Sequence, residues 1–144
     1  MKFKRKKKFH LDTLIDENMI IRGNTTVTGG VRLDGKVYGN LMVTDGEDGT
    51  LIMGENSLIK GDVFVPTAII GGKITGNIKC YDYLEIHANA VITGNIEYNL
   101  LEIHTGANIN SNIKKMNKTE INKQKKILNE ITKPKDEKLS LIHI

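Results

Sequence analysis

Between Gly23 and Ser111 the chain repeats one short pattern six times: an apolar residue, any residue, Gly, then Asn or Asp, then an apolar residue. Two copies vary it, with Thr25 as the final residue of the first and Ser111 in the Gly place of the last. The copies centre on Gly23, Gly39, Gly61, Gly76, Gly94 and Ser111, spaced by 16, 22, 15, 18 and 17 residues. A sustained period of this length predicts a solenoid in which each copy adds one turn. Residues of one kind that recur once per turn fall into columns. Two places before the centre stand Ile21, Val37, Ile59, Ile74, Ile92 and Ile109, and two after it Thr25, Leu41, Val63, Ile78, Ile96 and Ile113.

The position after each centre is Asn24, Asn40, Asp62, Asn77, Asn95 or Asn112. Gly, Asn and Asp tolerate left-handed backbone angles that β-branched residues avoid, so Gly-Asn suits a sharp corner between two strands. Val27, Val43, Val65, Cys80 and Tyr98 lie four places after the corner and continue an inward alternation of period two. Lys115 is the sixth member of that column. An ammonium does not sit unpaired in an apolar core, which places the end of the coil near Ile113. Leu51-Ile52-Met53, Leu84-Glu85-Ile86 and Leu101-Glu102-Ile103 each begin ten residues before their corner, and Thr13-Leu14-Ile15 less clearly so. The place four before the corner holds mostly small residues, Met19, Gly35, Ser57, Gly72, Ala90 and Ala107, as a narrow cross-section requires.

Two spacings mark irregularities. The 22-residue turn contains the acidic, Gly-rich run from Thr44 to Thr50. It lacks the ligand spacing of calcium-binding loops and reads as a solvated excursion. Near Val65-Pro66-Thr67 the short turn reads as a tightened corner, with Pro66 at a break between strands.

With 144 residues and no Trp, the chain has room for one domain with tails. Residues 1–10 carry six basic groups and no acid; residues 114–144 carry nine Lys against four acids; residues 11–113 are net −7. The overall +4 therefore belongs to the tails. One cysteine excludes an internal disulfide, and Cys80 falls in an inward column. Neither a signal-peptide core nor an 18-residue apolar span is found. The expected location is the cytoplasm.

Candidate chemistry is sparse. His87 and His104 occupy equivalent places in Leu84-Glu85-Ile86-His87 and Leu101-Glu102-Ile103-His104. The repeat therefore sets Glu85 near Glu102 and His87 near His104, about 4.8 Å apart. Two imidazoles and two carboxylates on one outer face have the chemistry to hold zinc or sense pH. A solvated ladder of outward residues is the preferred reading, because no third turn repeats the group, and no metal ligand is assigned. Nor is any catalytic residue: Ser57, Ser111 and Ser140 stand in no nucleophile elbow, and no Gly-rich segment leads into a helix to cradle a phosphate. No cofactor is implied. An acyltransferase of the hexapeptide β-helix class is the enzyme alternative. However, the inward residues Ile92, Ile96, Tyr98, Leu101 and Ile103 are separated by 4, 2, 3 and 2 places rather than by six. A monomeric binding module is the third reading.

The Gly-Asn-Ile corners at Gly76-Asn77-Ile78 and Gly94-Asn95-Ile96, with the early turn Val31-Arg32-Leu33-Asp34-Gly35-Lys36-Val37-Tyr38-Gly39-Asn40, resemble those of the bactofilins over about residues 13–113. The resemblance implies an all-β, single-domain, right-handed parallel β-helix of about six turns. It implies nucleotide-independent, end-to-end polymerisation of like ends into cytoskeletal filaments associated with the membrane, acting in cell shape, wall synthesis or organelle placement. Independently, a coil without polar caps exposes unpaired strand edges over an apolar cross-section. Ile15 and Ile21 at one end, and Ile103, Ile109 and Ile113 at the other, are the expected polymer interface.

The chain thus divides into a basic tail over 1–12, a coil over 13–113 and a Lys-rich tail over 114–144. In the first tail Lys2, Phe3, Lys4, Arg5, Lys6, Lys7, Lys8 and Phe9 form the expected membrane-binding segment, placing the protein on the inner leaflet of the cytoplasmic membrane. Each basic residue near anionic lipid contributes about 1 kcal/mol, and Phe can insert at the headgroup boundary. A solvated arm and a nucleic-acid arm are the alternatives; a body of net −7 repels a phosphate backbone, so nucleic acid is not expected as a partner. Expected partners are further copies of the chain, the membrane, and cell-wall or morphogenesis proteins. Residues 117–133 have weak helical spacing at Ile121, Leu128 and Ile131, but their Lys and Asn content favours disorder. A helix folded back over the last turn would cap the end. Residues 138–144 resemble a translated sequencing-adaptor remnant and are assigned no function.

Overall fold

Short alternating apolar runs separated by Gly-Asn corners favour strands too brief to stand alone, so each must pair with the run one repeat away. The structure, a computed structural model, describes residues 11–44 and 49–132. Its first turn is built from β1 (Thr13–Ile15), β2 (Ile20–Arg22) and β3 (Thr25–Thr28), and its second from β4 (Gly30–Leu33), β5 (Lys36–Tyr38) and β6 (Leu41–Thr44). The third opens with β7 (Thr50–Met53) and β8 (Leu58–Lys60). From there one strand runs through two sides of the coil: β9 (Val63–Ile70), then β10 (Lys73–Thr75), β11 (Ile78–Ile86), β12 (Val91–Thr93) and β13 (Ile96–Ile103). The stack closes with β14 (Asn108–Asn110) and β15 (Ile113–Lys115), followed by a helix, α1 (Lys118–Thr132).

All pairings among these strands are parallel, in a six-stranded sheet ordered β14-β12-β10-β8-β5-β2 and a larger nine-stranded one. The chain is thus a parallel β-solenoid of about six turns, as its repeat predicts. Registers match the columns read from sequence. Ile21, Val37, Ile59, Ile74, Ile92 and Ile109 are successive partners, as are Leu41, Val63, Ile78, Ile96 and Ile113. In mid-stack these side chains are fully buried, each contributing about 1.5–3 kcal/mol. Val31-Arg32-Leu33 and Ala68-Ile69-Ile70 belong to the Leu51, Leu84 and Leu101 family of segments. They escape sequence detection because β4 and β9 reach the next strand through two residues, whereas β1, β7, β11 and β13 use four.

The corners work in a way that backbone tolerance alone does not describe. The Gly of the first five carries the unusual backbone, with φ between 127° at Gly23 and 154° at Gly61. The residue that follows builds a separate ladder: the Asn24 side-chain oxygen accepts from the Asn40 N–H (2.9 Å), Asn40 from Asp62 (2.9 Å), Asp62 from Asn77 (3.0 Å) and Asn77 from Asn95 (3.0 Å).

Three sequence expectations need correction. Pro66 does not break a strand: β9 runs continuously through it, and the pairing slips by one residue opposite, between Cys80 and Tyr83 of β11. Its missing N–H falls where the ladder is already interrupted by this bulge. Lys115 remains paired to Tyr98 within β15, because its ammonium turns outward to the Asn99 carbonyl oxygen at 2.6 Å. The segment after the coil is a helix over 118–132 rather than a disordered tail. Asn117 and Glu120 form a reciprocal capping box (2.8 and 3.0 Å), and Met116 is buried against Tyr81, with Phe64 and Ile121 beside them. The helix packs on the outside of β6 and β11 and does not cap the last turn. Residues 45–48 of the acidic excursion, like the sequence-expected tail residues 1–10 and 133–144, lie outside the described residues.

Two outcomes test this packing. A Cβ built on Gly76 runs into the Gly61 carbonyl, whereas one on Gly23 meets nothing within 4 Å. Gly76→Ala should therefore cost about 2–4 kcal/mol in denaturant unfolding, from strain plus overlap, and Gly23→Ala only about 1–2 kcal/mol from strain. Equal losses would show that the clash is relieved. Second, complete burial pushes the Cys80 thiol up to about 12, with Sγ 3.3 Å from the Pro66 oxygen and 3.0 Å from the Tyr83 oxygen. A thiol reagent at about pH 8 should leave Cys80 untouched in native protein and modify it fully in denaturant; rapid native labelling would contradict the core register.

Candidate functional site: the open ends of the coil

A parallel ladder satisfies each strand from both neighbours, and the first and last turns have only one. Among the described residues, β1, β2 and β3 present free edges at one end. At the other end the edges belong to β14, β15 and the part of β13 beyond Tyr98, where pairing with β15 stops. Their inward columns lose their cover as well. Ile86 and Ile96 are fully buried, while their next-turn partners Ile103 and Ile113 are 44% and 42% exposed. Ile109 is half-buried against the core, and Asn108, Asn110 and Asn112 alternate outward around it.

The opposite end differs in detail. Of the two residues singled out there by sequence, Ile21 is half-buried and Ile15 is already in the core at 3% exposure. Ile15 can thus take part in a junction only through its backbone edge. The apolar surface at this end comes instead from Leu11, Leu14, Met19 and Ile20, of which Leu14 is the most open at 62%. Leu100 adds to the far end. Sequence reasoning passed over Leu14, Ile20 and Leu100 because they occupy outward positions, Met19 because its column lines the cross-section, and Leu11 because it precedes the coil. The available signal was their place in a terminal coil combined with an apolar side chain.

A second cluster lies on the outer face of the last two turns. Glu85 and Glu102 are register partners. The His87 and His104 rings stand 4.6 Å apart between centroids, and Nε2 of each lies 3.0 and 2.9 Å from the same Glu85 Oε2. His104 Nε2 is also 3.4 Å from Glu102 Oε2. The Tyr83 hydroxyl, which the repeat does not single out because the bulge displaces it, reaches Glu85 Oε1 at 3.0 Å and Glu102 Oε1 at 2.8 Å. Burial acts most strongly on Glu85 and works to raise its pKa. The hydrogen bonds from His87, Tyr83 and His104 together outweigh it and hold the carboxyl below its ordinary value. Burial and the two carboxylates push the Tyr83 phenol up.

No helix among the described residues is long and apolar enough to cross a membrane. The coil is similar in fold to a solved structure described as a cryo-EM reconstruction of Thermus thermophilus bactofilin double helical filaments. The TM-score is 0.65 at 23% identity, covering 72% of this chain and 99% of that one. No curated protein matches the chain. A family model described as "Bactofilin: Polymer-forming cytoskeletal" matches residues 13–114, from the first strand of the coil to within one residue of its last. With that match spanning every turn, the chain belongs to the bactofilins, a family of polymer-forming cytoskeletal proteins.

Proposed function

We propose that this chain polymerises end to end through the two open turns, without nucleotide, and that its basic N-terminal segment attaches the polymer to the inner face of the cytoplasmic membrane as a scaffold for cell shape or wall organisation. The observation that carries the first part is the change along two inward columns. Positions fully buried in mid-stack become over two-fifths exposed at Ile103 and Ile113, beside unpaired strand edges. Another coil is the surface that best matches both, because it supplies apolar columns and a complementary ladder together. The similarity to a filament-forming bactofilin agrees with this. Assembly without nucleotide is supported by α1, which starts from the Asn117 cap and among the described residues follows no Gly-rich loop.

Membrane attachment rests on the sequence Lys2, Phe3, Lys4, Arg5, Lys6, Lys7, Lys8, Phe9. A single copy binds anionic lipid weakly and reversibly, and a polymer multiplies the copies on one surface into avidity. Assembly and attachment would then reinforce one another.

Purified protein without nucleotide should form filaments by negative-stain microscopy. Ile113→Lys and Ile103→Lys should each abolish them, or raise the concentration needed at least about tenfold, equivalent to about 1.4 kcal/mol of junction energy. Folding is checked by circular dichroism. A folded variant that assembles like the parent would remove these residues from the junction. In a separate assay the parent should co-sediment with vesicles containing anionic lipid. Phe3→Ala with Phe9→Ala should lose most of that binding, whereas a purely electrostatic arm would keep it.

A further inference from the structure

The cluster on the outer face of the last two turns has no part in assembly as proposed above, yet it is the most organised group of polar side chains among the described residues. We propose that Glu85, His87 and His104 form a binding site for a zinc-class divalent cation, with Glu102 or water as the fourth ligand and Tyr83 positioning the two carboxylates.

The geometry carries the argument. One oxygen or nitrogen from each of Glu85, His87 and His104 falls within 4.8 Å of the other two. Zinc binds imidazole nitrogen and carboxylate oxygen at about 2.0–2.2 Å in a tetrahedron, so neighbouring ligand atoms stand about 3.3 Å apart. The separations from Glu85 Oε2 to the two Nε2 atoms, 3.0 and 2.9 Å, need open by only a few tenths of an ångström to admit the ion. Glu102 Oε2 stands 3.4 Å from His104 Nε2, the tetrahedral spacing to that one ligand; its side chain must turn to meet the other two, and water otherwise takes the fourth place.

The ligands are also held in place before any ion arrives. Glu85 lies in β11 and Glu102 in β13, and the His87 and His104 backbones, just beyond those strands, are pinned to Ile70 and Ile86 by N–H donation at 2.9 and 2.8 Å. Tyr83 ties together the carboxylate oxygens that face away from the imidazoles, the arrangement that orients metal-ligating carboxylates in known sites. The donor set selects the ion class. Two imidazoles with carboxylate suit zinc and its transition-metal neighbours, whereas calcium and magnesium prefer oxygen alone. On binding, each Nε2 exchanges its hydrogen bond to Glu85 for the metal, and its proton moves through solvent to Nδ1 of the same ring, leaving the imidazole neutral. All the side chains are reachable, with His87 and His104 at 43% and 40% exposure.

The sequence weighed against a metal because no third turn repeats the group, and the structure supplies what the repeat lacked. A single Glu85 oxygen faces both imidazoles, and Tyr83 organises the carboxylates from a bulge outside the repeat. A bound ion would tie the terminal turn to the one beneath it.

The test is titration of the full chain with Co2+ and Zn2+. Co2+ should give the intense visible bands of four-coordinate cobalt at one ion per chain, and Zn2+ should displace it. His87→Ala with His104→Ala should abolish the bands, Glu85→Gln should weaken Zn2+ at least about tenfold, and Tyr83→Phe, which removes no ligand, should weaken it about 10- to 100-fold. His10→Ala with His143→Ala should leave binding unchanged, and circular dichroism confirms that each variant is folded. Absence of a cobalt band in the parent, or a band that survives the His87/His104 double variant and disappears with the His10/His143 one, would overturn the proposal.

Discussion

A strand in a parallel ladder needs a partner on each side, and in this coil the partner is always the adjacent turn. That single requirement shapes the rest. It forces residues of one chemistry into columns and limits each side of the coil to a few residues. Because no turn can satisfy its own outer edge, it also leaves both ends unfinished. The helix that follows the coil does not cover the last turn; the buried contact of Met116 on Tyr81 draws it onto the side wall. Among the described residues both ends therefore stay open, in a chain that belongs to a family of polymer-forming proteins.

How much of this was written in the order of residues depends on how often a feature recurs. The columns of Ile, Leu and Val were legible because they are sampled six times, so one exception such as Thr25 or Tyr98 does not hide them. The same averaging located the acidic excursion between β6 and β7, whose flanking strands end at Thr44 and resume at Thr50. It also set Glu85 beside Glu102, and His87 beside His104, from two copies alone.

Features that occur once were not legible. Pro66 has the local signature of a break, and only the slipped pairing opposite it lets the strand continue. Lys115 looks forbidden in an inward column until its long side chain is seen to turn out to Asn99. The helix over 118–132 has a poor intrinsic pattern and depends on a cap and a hydrophobic patch from distant strands, neither of which local composition reveals. Ile15 shows another limit. Its place in the first turn does not reveal that its side chain is buried while its outward neighbour Leu14 carries the apolar surface.

The corner ladder gives the coil an arrow. From Asn24 to Asn77 every corner side-chain oxygen accepts from the backbone N–H of the next turn, ending at Asn95, so the two extremities are chemically unlike even though both are open among the described residues. A junction between like extremities must interrupt this chain of amides and join subunits by apolar contact and strand edges alone, whereas a junction between unlike ones is free to prolong it. A filament with direction can carry this row of Asn and Asp corners across its junctions, and one without cannot.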